Sequence, residues 1–402
     1  MLTAVAALGG GMAAGIVTGL LPALHPNSVI FLLLPLYFGA DIAPVVFVAF
    51  ATGVSTVHTF VSFVPAVFVG APEGETALST LPGHGLLHEG RGVEAVERTV
   101  HGGLVAALLA VAALPALLYL VPLVYGTVAS HMHLVLLLLL AGLVVTERRP
   151  GAAAGVVVLA GLLGVGALSS SLANTQYILF PLFAGLFGLP IILESLRQGG
   201  GVPAQGRSLP VPAGSTVRGG IAGFAAGVVA GFLPGAGSSQ SVLLVDGIAG
   251  MERDGFLVAL GGVTTADLFV SLVALHAIGN PRSGAAVAMQ QVLPRVDLGT
   301  TLQVAGMCMV GVGTGALVTR RLARRAAAGL AAVDYDRLLA AVAVFIAAGS
   351  IALAGSFGLL VLATATATGA LAGELGVRRS DCMAALIVPT ILHYAGVTLP
   401  LL

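Results

Sequence analysis

Long apolar runs dominate the chain, broken only by short polar or Gly/Pro-rich stretches. About 20 helical residues cross roughly 30 Å of hydrocarbon, so runs of this length predict membrane helices. Fourteen apolar segments can be marked. The first seven cover 2–21, 28–40, 43–71, 100–126, 131–146, 150–168 and 175–195, and the second seven cover 217–233, 238–250, 255–278, 298–319, 337–354, 356–373 and 381–401. The Gly-, Pro- and Ser-rich stretch between the two sets reads as a linker. The expected organisation is an all-α polytopic membrane protein, with one membrane repeat at 1–196, a linker at 197–216 and a second repeat at 217–402.

The two sets are related in sequence. Gly11, Gly15, Gly19 and Pro22 recur at a shift of 212 as Gly223, Gly227, Gly231 and Pro234. At a shift of 209, Gly53-Val54-Ser55-Thr56, Phe60-Val61-Ser62, Gly70 and Pro72 face Gly262-Val263-Thr264-Thr265, Phe269-Val270-Ser271, Gly279 and Pro281. Two ordered matches at nearly one shift point to an internal repeat. Glycine every four residues leaves a helix face without side chains, which suits close helix packing. If the segments alternate across the membrane, fifteen arginines fall on one side and only Arg282 and Arg295 on the other. That bias marks the rich side as cytoplasmic and places both termini outside. Seven segments per repeat then invert the second copy, a common construction of secondary transporters.

Composition narrows the class further. With 57% hydrophobic and 8% charged residues, the chain lacks the polar surface of a soluble protein. Net charge is zero and all 17 basic residues are arginine, with no basic groove or aromatic series for nucleic acid. The first apolar run has no basic leader before it, so a cleaved signal peptide is not expected. Cys308 and Cys382 lie far apart in apolar segments and read as small core residues, and no metal framework is expected.

Both glycine ladders run into helix breakers. The first meets Leu21-Pro22-Ala23-Leu24-His25-Pro26-Asn27-Ser28, and the second Leu233-Pro234-Gly235-Ala236-Gly237-Ser238-Ser239-Gln240. Proline removes a backbone donor and glycine admits unusual conformations, so each repeat is expected to open with a broken, re-entrant hairpin. Irregular backbone at membrane depth survives only inside protein or against a wet cavity. A helix restarting there offers free N–H groups and capping hydroxyls that suit a carboxylate or phosphate. The candidate anion site is therefore Pro22, His25, Asn27, Ser28, Pro234, Gly235, Gly237, Ser238, Ser239 and Gln240. A structural kink and a cation site built from freed carbonyls are the competing readings.

Ionisable groups at membrane depth are costly and call for a role. His58 and Asp267 occupy equivalent places in the second match and are candidates for coupling to a proton or sodium gradient; a helix–helix hydrogen bond is the plainer alternative. Ser55, Thr56, Thr264 and Thr265 lie close by in sequence. They could line an ion path, or bond the preceding helical turn. The stretch Pro72 to Arg98 holds Glu73, Glu75, His84, His88, Glu89, Glu94 and Glu97 and reads as a solvated cytoplasmic loop. A hydrolase would use two of these carboxylates, but no nucleophile motif accompanies them.

The chain resembles the large permease subunit of the tripartite tricarboxylate transporters. The likeness lies in the ladder followed by Leu233-Pro234-Gly235-Ala236-Gly237, in Gly70-Ala71-Pro72-Glu73-Gly74-Glu75-Thr76-Ala77 continuing to Leu81-Pro82-Gly83-His84-Gly85 and Gly90-Arg91-Gly92, and in Phe180-Pro181-Leu182-Phe183-Ala184-Gly185-Leu186-Phe187-Gly188. The resemblance implies an ion-driven permease for carboxylate anions in a prokaryotic cell membrane, working with a small membrane subunit and an extracytoplasmic binding protein. It also suggests that Thr76, Ser79 and Thr80 close the substrate path from inside. The chain departs from that pattern in its shortness, in its lack of lysine and in Pro22-Ala23-Leu24-His25-Pro26 where glycines are expected. No cofactor is expected beyond a coupling ion, H+ or Na+. A translocase of an anionic lipid carrier such as polyprenyl phosphate is the alternative, and an intramembrane enzyme lacks a convergent acid, base and nucleophile. Oligomeric state, a homodimer included, stays open.

Overall fold

The computed structural model describes residues 2–21, 26–40, 42–70, 76, 78, 80–173, 175–198, 203–206, 211–232, 238–279, 281, 283–293, 295–330 and 334–397. The first-half helices are α1 (Leu2–Leu20), α2 (Pro26–Gly39), α3 (Pro44–Val61), α4 (Phe63–Phe68), α5 (Thr80–His88), α6 (Gly92–Ser130), α7 (Met132–Val145), α8 (Pro150–Leu168), α9 (Thr175–Phe183) and α10 (Leu189–Gln198), with a π turn at Ala184–Gly188 joining the last two. The second half holds α11 (Ala213–Phe232), α12 (Ser238–Ala249), α13 (Arg253–Ile278), α14 (Gly284–Val292), α15 (Leu298–Leu330), α16 (Tyr335–Glu374) and α17 (Ala384–Tyr394), with a 3-10 turn at Arg379–Met383 before α17. Among the described residues, 8 helical stretches are long and apolar enough to cross a membrane. Exposed Leu108, Tyr119, Leu123, Leu138, Val145 and Leu162 give this multi-pass protein an apolar outer surface suited to lipid.

Five of the fourteen segments form helices that fall short of that test: α2, α7, α12 and α17 are 14, 14, 12 and 11 residues long, and α11 carries Gly214, Ser215, Thr216 and Arg218 in its first turns. The boundary between segments 337–354 and 356–373 falls inside α16, where Ala354 and Gly355 leave helical geometry; Gly355 has φ 61°. Glycine takes that conformation without the Cβ clash other residues suffer.

The stretch Pro72 to Arg98 is not a solvated loop throughout. Residues 71–75, 77 and 79 lie outside the described residues, but α5 and the start of α6 occupy most of the remainder. His84, Glu94 and Arg98 are buried there. Composition misled because charge is a poor guide to exposure once carboxylate and guanidinium pair.

Glycine sets the packing of the central helices. A Cβ on Gly11 of α1 would stand 2.2 Å from the Phe50 carbonyl oxygen of α3, one on Gly15 2.6 Å from that of Val54, and one on Gly19 2.7 Å from Val61 Cβ. The same register recurs between α11 and α13. There Gly223 faces the Ala259 oxygen at 2.6 Å, Gly227 the Val263 oxygen at 3.0 Å and Gly231 Val270 Cγ1 at 2.0 Å. Phe50, Val54 and Val61 become Ala259, Val263 and Val270 at the shift of 209, so the sequence matches are also contact matches. Long helices then cross between the halves: α6 lies on α13, and α15 on α3. Gly102 of α6 and Gly311 of α15, again 209 apart, both sit where a Cβ would overlap the partner helix, 1.7 Å from the Val258 oxygen and 2.0 Å from Thr56 Oγ1.

The extensive helix–helix contacts fall into two groups. One holds α1 to α6 with α11 to α15, and the other α7 to α10 with α16, α17 and the 3-10 turn. Among the described residues, no extensive helix pair joins the groups. Each therefore mixes segments from both halves of the chain.

Candidate functional site

The site expected at the two helix interruptions straddles the limits of the described structure. Pro22, His25, Pro234, Gly235 and Gly237 lie outside the described residues. Helix α1 ends at Leu20 and α2 starts at Pro26, while α11 ends at Phe232 and α12 starts at Ser238. These limits are 212 residues apart at both edges, and residues 22–25 and 233–237 between them lie outside the described residues. Asn27, Ser28, Ser238, Ser239 and Gln240 all fall in the first turn of the helix that follows. Ser238 is buried, as is Ser241 one turn on.

Asn27 reaches the other half of the chain. Its amide carbon lies 2.3 Å from where a Cβ on Gly284 would stand, so only glycine leaves room for it at the start of α14. Ser283 caps that helix by accepting from the Ala286 amide, and it donates its own backbone N–H to Ser271 Oγ at 2.8 Å. Next to this contact, Thr52, Thr56, Leu272, Ser283, Met289 and Cys308 line part of a cavity of about 30 Å³, enough for one or two waters. The cavity lies between α3 of the first half and α13, α14 and α15 of the second.

The coupling candidates occupy the helices behind the interruptions. His58 is buried on α3, with Nδ1 3.0 Å from Thr18 Oγ1 of α1. Thr18 in turn donates to the Gly15 carbonyl, which leaves the imidazole Nδ1 as donor to the hydroxyl. Asp267 is half-buried on α13. Thr56 donates to the Thr52 carbonyl at 2.7 Å, Thr264 to those of Leu260 and Gly261, and Thr265 to that of Gly261 at 3.0 Å. Ser55 Oγ is buried and has no hydrogen-bond partner among the described residues.

An ion-pair network ties the halves together at the arginine-rich end of the inner helices. Arg98, itself 1% exposed, bonds Glu94 on its own helix and Asp254 Oδ2 of α13 at 2.8 Å. Arg253 bridges to Glu89, Arg324 of α15 to Glu97, and Arg320 approaches His101 at 3.3 Å. The spacing of Arg91, Glu94 and Arg98 at i, i+3 and i+7 was the one signal in the sequence for this cluster. Asp254, 156 residues from Arg98, gave none.

A family model described as the tripartite tricarboxylate transporter TctA family matches residues 5–384. The chain belongs to that family. The match spans both glycine ladders, both interruptions and every helix up to the turn before α17. A relative in Methanocaldococcus jannaschii, the uncharacterized protein MJ1079, is 28% identical over 399 residues, covering 96% of this chain and 97% of its own. No solved structure matches. Membership in the TctA family makes the chain a transporter component, and the matched range includes the stretches at Gly70 and Phe180. The Phe180 motif forms α9 and the π turn, where Gly185 and Gly369 of α16 let the two backbones meet; a Cβ on Gly185 would lie 2.7 Å from the Leu362 oxygen.

Proposed function

We propose that the chain is the permease of a secondary transporter for small organic anions such as di- and tricarboxylates, driven by a proton or sodium gradient through alternating access. One observation carries this reading: the ladder helices α1 and α11 pack on α3 and α13 through matching glycines, and in the first turn of the helix that follows each, Asn27 lies against the start of α14 and Ser238 is buried. Helix starts carry unpaired N–H groups and a positive dipole end, which favour a carboxylate. The anion would rest between Pro22, His25, Asn27 and Ser28 on one side and Pro234, Gly235, Gly237, Ser238, Ser239 and Gln240 on the other. His58 and Asp267, each one helix behind an interruption, are the groups through which the ion gradient would act.

Division of the helix contacts into two groups supports alternating access, since two bodies can shift against each other while the packing inside each persists. The repeated ladder contacts support two related copies, and the arginine bias supports an inverted arrangement with both termini outside. The family's name implies further subunits, so a small membrane protein and an extracytoplasmic binding protein are expected partners.

Uptake of a labelled tricarboxylate by the Ser238→Ala/Ser239→Ala double variant tests the site. A hydrogen bond to a charged group contributes about 1.5–3 kcal/mol, so loss of one raises KM roughly 10- to 100-fold. Unchanged KM and rate in a folded double variant would remove the site.

A further inference from the structure

The second helix group holds a carboxyl that neither the ladders nor the interruptions explain. Asp381 lies in the 3-10 turn before α17, is 0% exposed, and has no hydrogen-bond partner for either oxygen among the described residues. Its neighbours Ser380 and Arg379 are buried as well, and Ser380 Oγ and Arg379 Nε are likewise without partners.

The nearby cations are engaged elsewhere. Arg378 bonds Glu147, Thr146 Oγ1 and the Leu143 carbonyl. Arg379 bonds Glu194 at 3.2 Å, and Arg149 at the start of α8 donates to the Leu375 carbonyl. The remaining elements against the turn bring no closer counter-charge: Glu374 of α16 and His393 of α17 are exposed, and the π turn has no titratable residue. Glu147 adds a negative charge from the turn between α7 and α8. A bare carboxylate so enclosed would lose its hydration with nothing to replace it, which favours the neutral acid.

We propose that Asp381 is a proton-binding site, filled in this conformation, and that release of its proton requires the Arg379–Met383 turn to open or Arg379 to leave Glu194. The bond broken is O–H on the carboxyl, and the proton passes to water. Burial, reinforced by the charge of Glu147 and opposed by Arg378, raises the Asp381 pKa to about 7. The turn lies outside the candidate spans, at the end where Arg378 and Arg379 collect, so water is within reach of a small movement.

Two readouts on the full chain in nanodiscs test the assignment without using transport. A carboxylic-acid carbonyl band in the infrared should disappear as pH rises through about 7, and should be absent from Asp381→Asn. Thermal stability should respond as well. The unfolded chain releases this proton near about pH 3.9, so between that pH and the folded value the native state holds one more proton than the unfolded. Stability therefore falls as pH rises across that window and levels off above it. Asp381→Asn, which mimics the neutral acid, should flatten the slope. Glu147→Gln removes the negative neighbour and frees Arg378, so its band should titrate at lower pH, which keeps the test decisive even if Asp381→Asn fails to fold. An infrared titration and stability slope unchanged in Asp381→Asn, or a midpoint unmoved in Glu147→Gln, overturns the assignment.

Discussion

Helix pairs α1/α3 and α11/α13 share a backbone frame but differ in what it carries. Each ladder glycine meets the residue that the shift of 209 assigns to it, down to Gly19 against Val61 and Gly231 against Val270. The polar groups diverge. In the first pair Thr18 bonds His58; in the second the equivalent positions are Ala230 and Asp267. The frame is thus the packing solution common to both halves, and the departures from it are where separate roles have room to develop. A second departure lies at the crossing helices. Arg98 and Asp254 join α6 to α13 by an ion pair, whereas the equivalent Met307 and Val45 pack around the apolar cluster of Ala4, Leu8 and Ala49.

That asymmetry sets the largest expected effect. Arg98→Ala takes from buried Glu94 one of its two guanidinium partners, Arg91 being the other, and from Asp254 its pair across the halves, and should cost up to about 3–5 kcal/mol, read as thermal unfolding in detergent. Copying the other half through Arg98→Met, Glu94→Gln and Asp254→Val together, the residues found at 307, 303 and 45, should be neutral or stabilising by about 1–4 kcal/mol. A triple variant as damaged as Arg98→Ala would show that the two crossings are not interchangeable.

The frame itself is tested by a smaller change. Gly11→Ala and Gly223→Ala each drive a methyl into a carbonyl oxygen and should destabilise by about 1–3 kcal/mol, to similar degrees. Gly10→Ala, with nothing within 4 Å of its Cβ, should instead be neutral or gain up to about 1 kcal/mol. Equal behaviour of Gly10 and Gly11 variants would dissolve the ladder argument.

The smallest effect concerns pH. His84 of α5, whose counterpart at the shift of 209 is Leu293, is buried with Nδ1 2.8 Å from the Val67 carbonyl. Burial lowers its pKa to about 4, with the Val67 bond opposing and His88 assisting. The unfolded chain binds a proton near about pH 6.5, so stability should fall as pH drops from there toward the folded value. A His84→Leu variant should lose that dependence, measured as the unfolding temperature across the window.

Much of the fold was legible because glycine and proline act locally. The ladders marked the tight helix pairs, and Leu-Pro after the first ladder marked the end of α1 at Leu20, while the residues after Phe232 lie outside the described residues. The grouping of helices was not legible, since it depends on which distant helices meet: α6 with α13, and α8 with α17. Charge misdirected the reading at Glu94 and Arg98, because their burial depends on Asp254 in the other half. Helices α5 and α14 went unmarked, being short and no more apolar than their surroundings. The candidate anion site rests on sequence reasoning, its Pro22, His25, Pro234, Gly235 and Gly237 lying outside the described residues, while Asp381 was not legible, since one carboxylate beside two arginines looks in sequence like an ion pair.

The most direct test of the account is uptake by the purified chain, with its partner subunits, into proteoliposomes offered a panel of labelled di- and tricarboxylates. Sodium and proton gradients are imposed separately and then omitted. The account expects at least one carboxylate to accumulate against its gradient under one ion gradient and not without it. Failure of every anion under both gradients, with correctly folded protein, would contradict it.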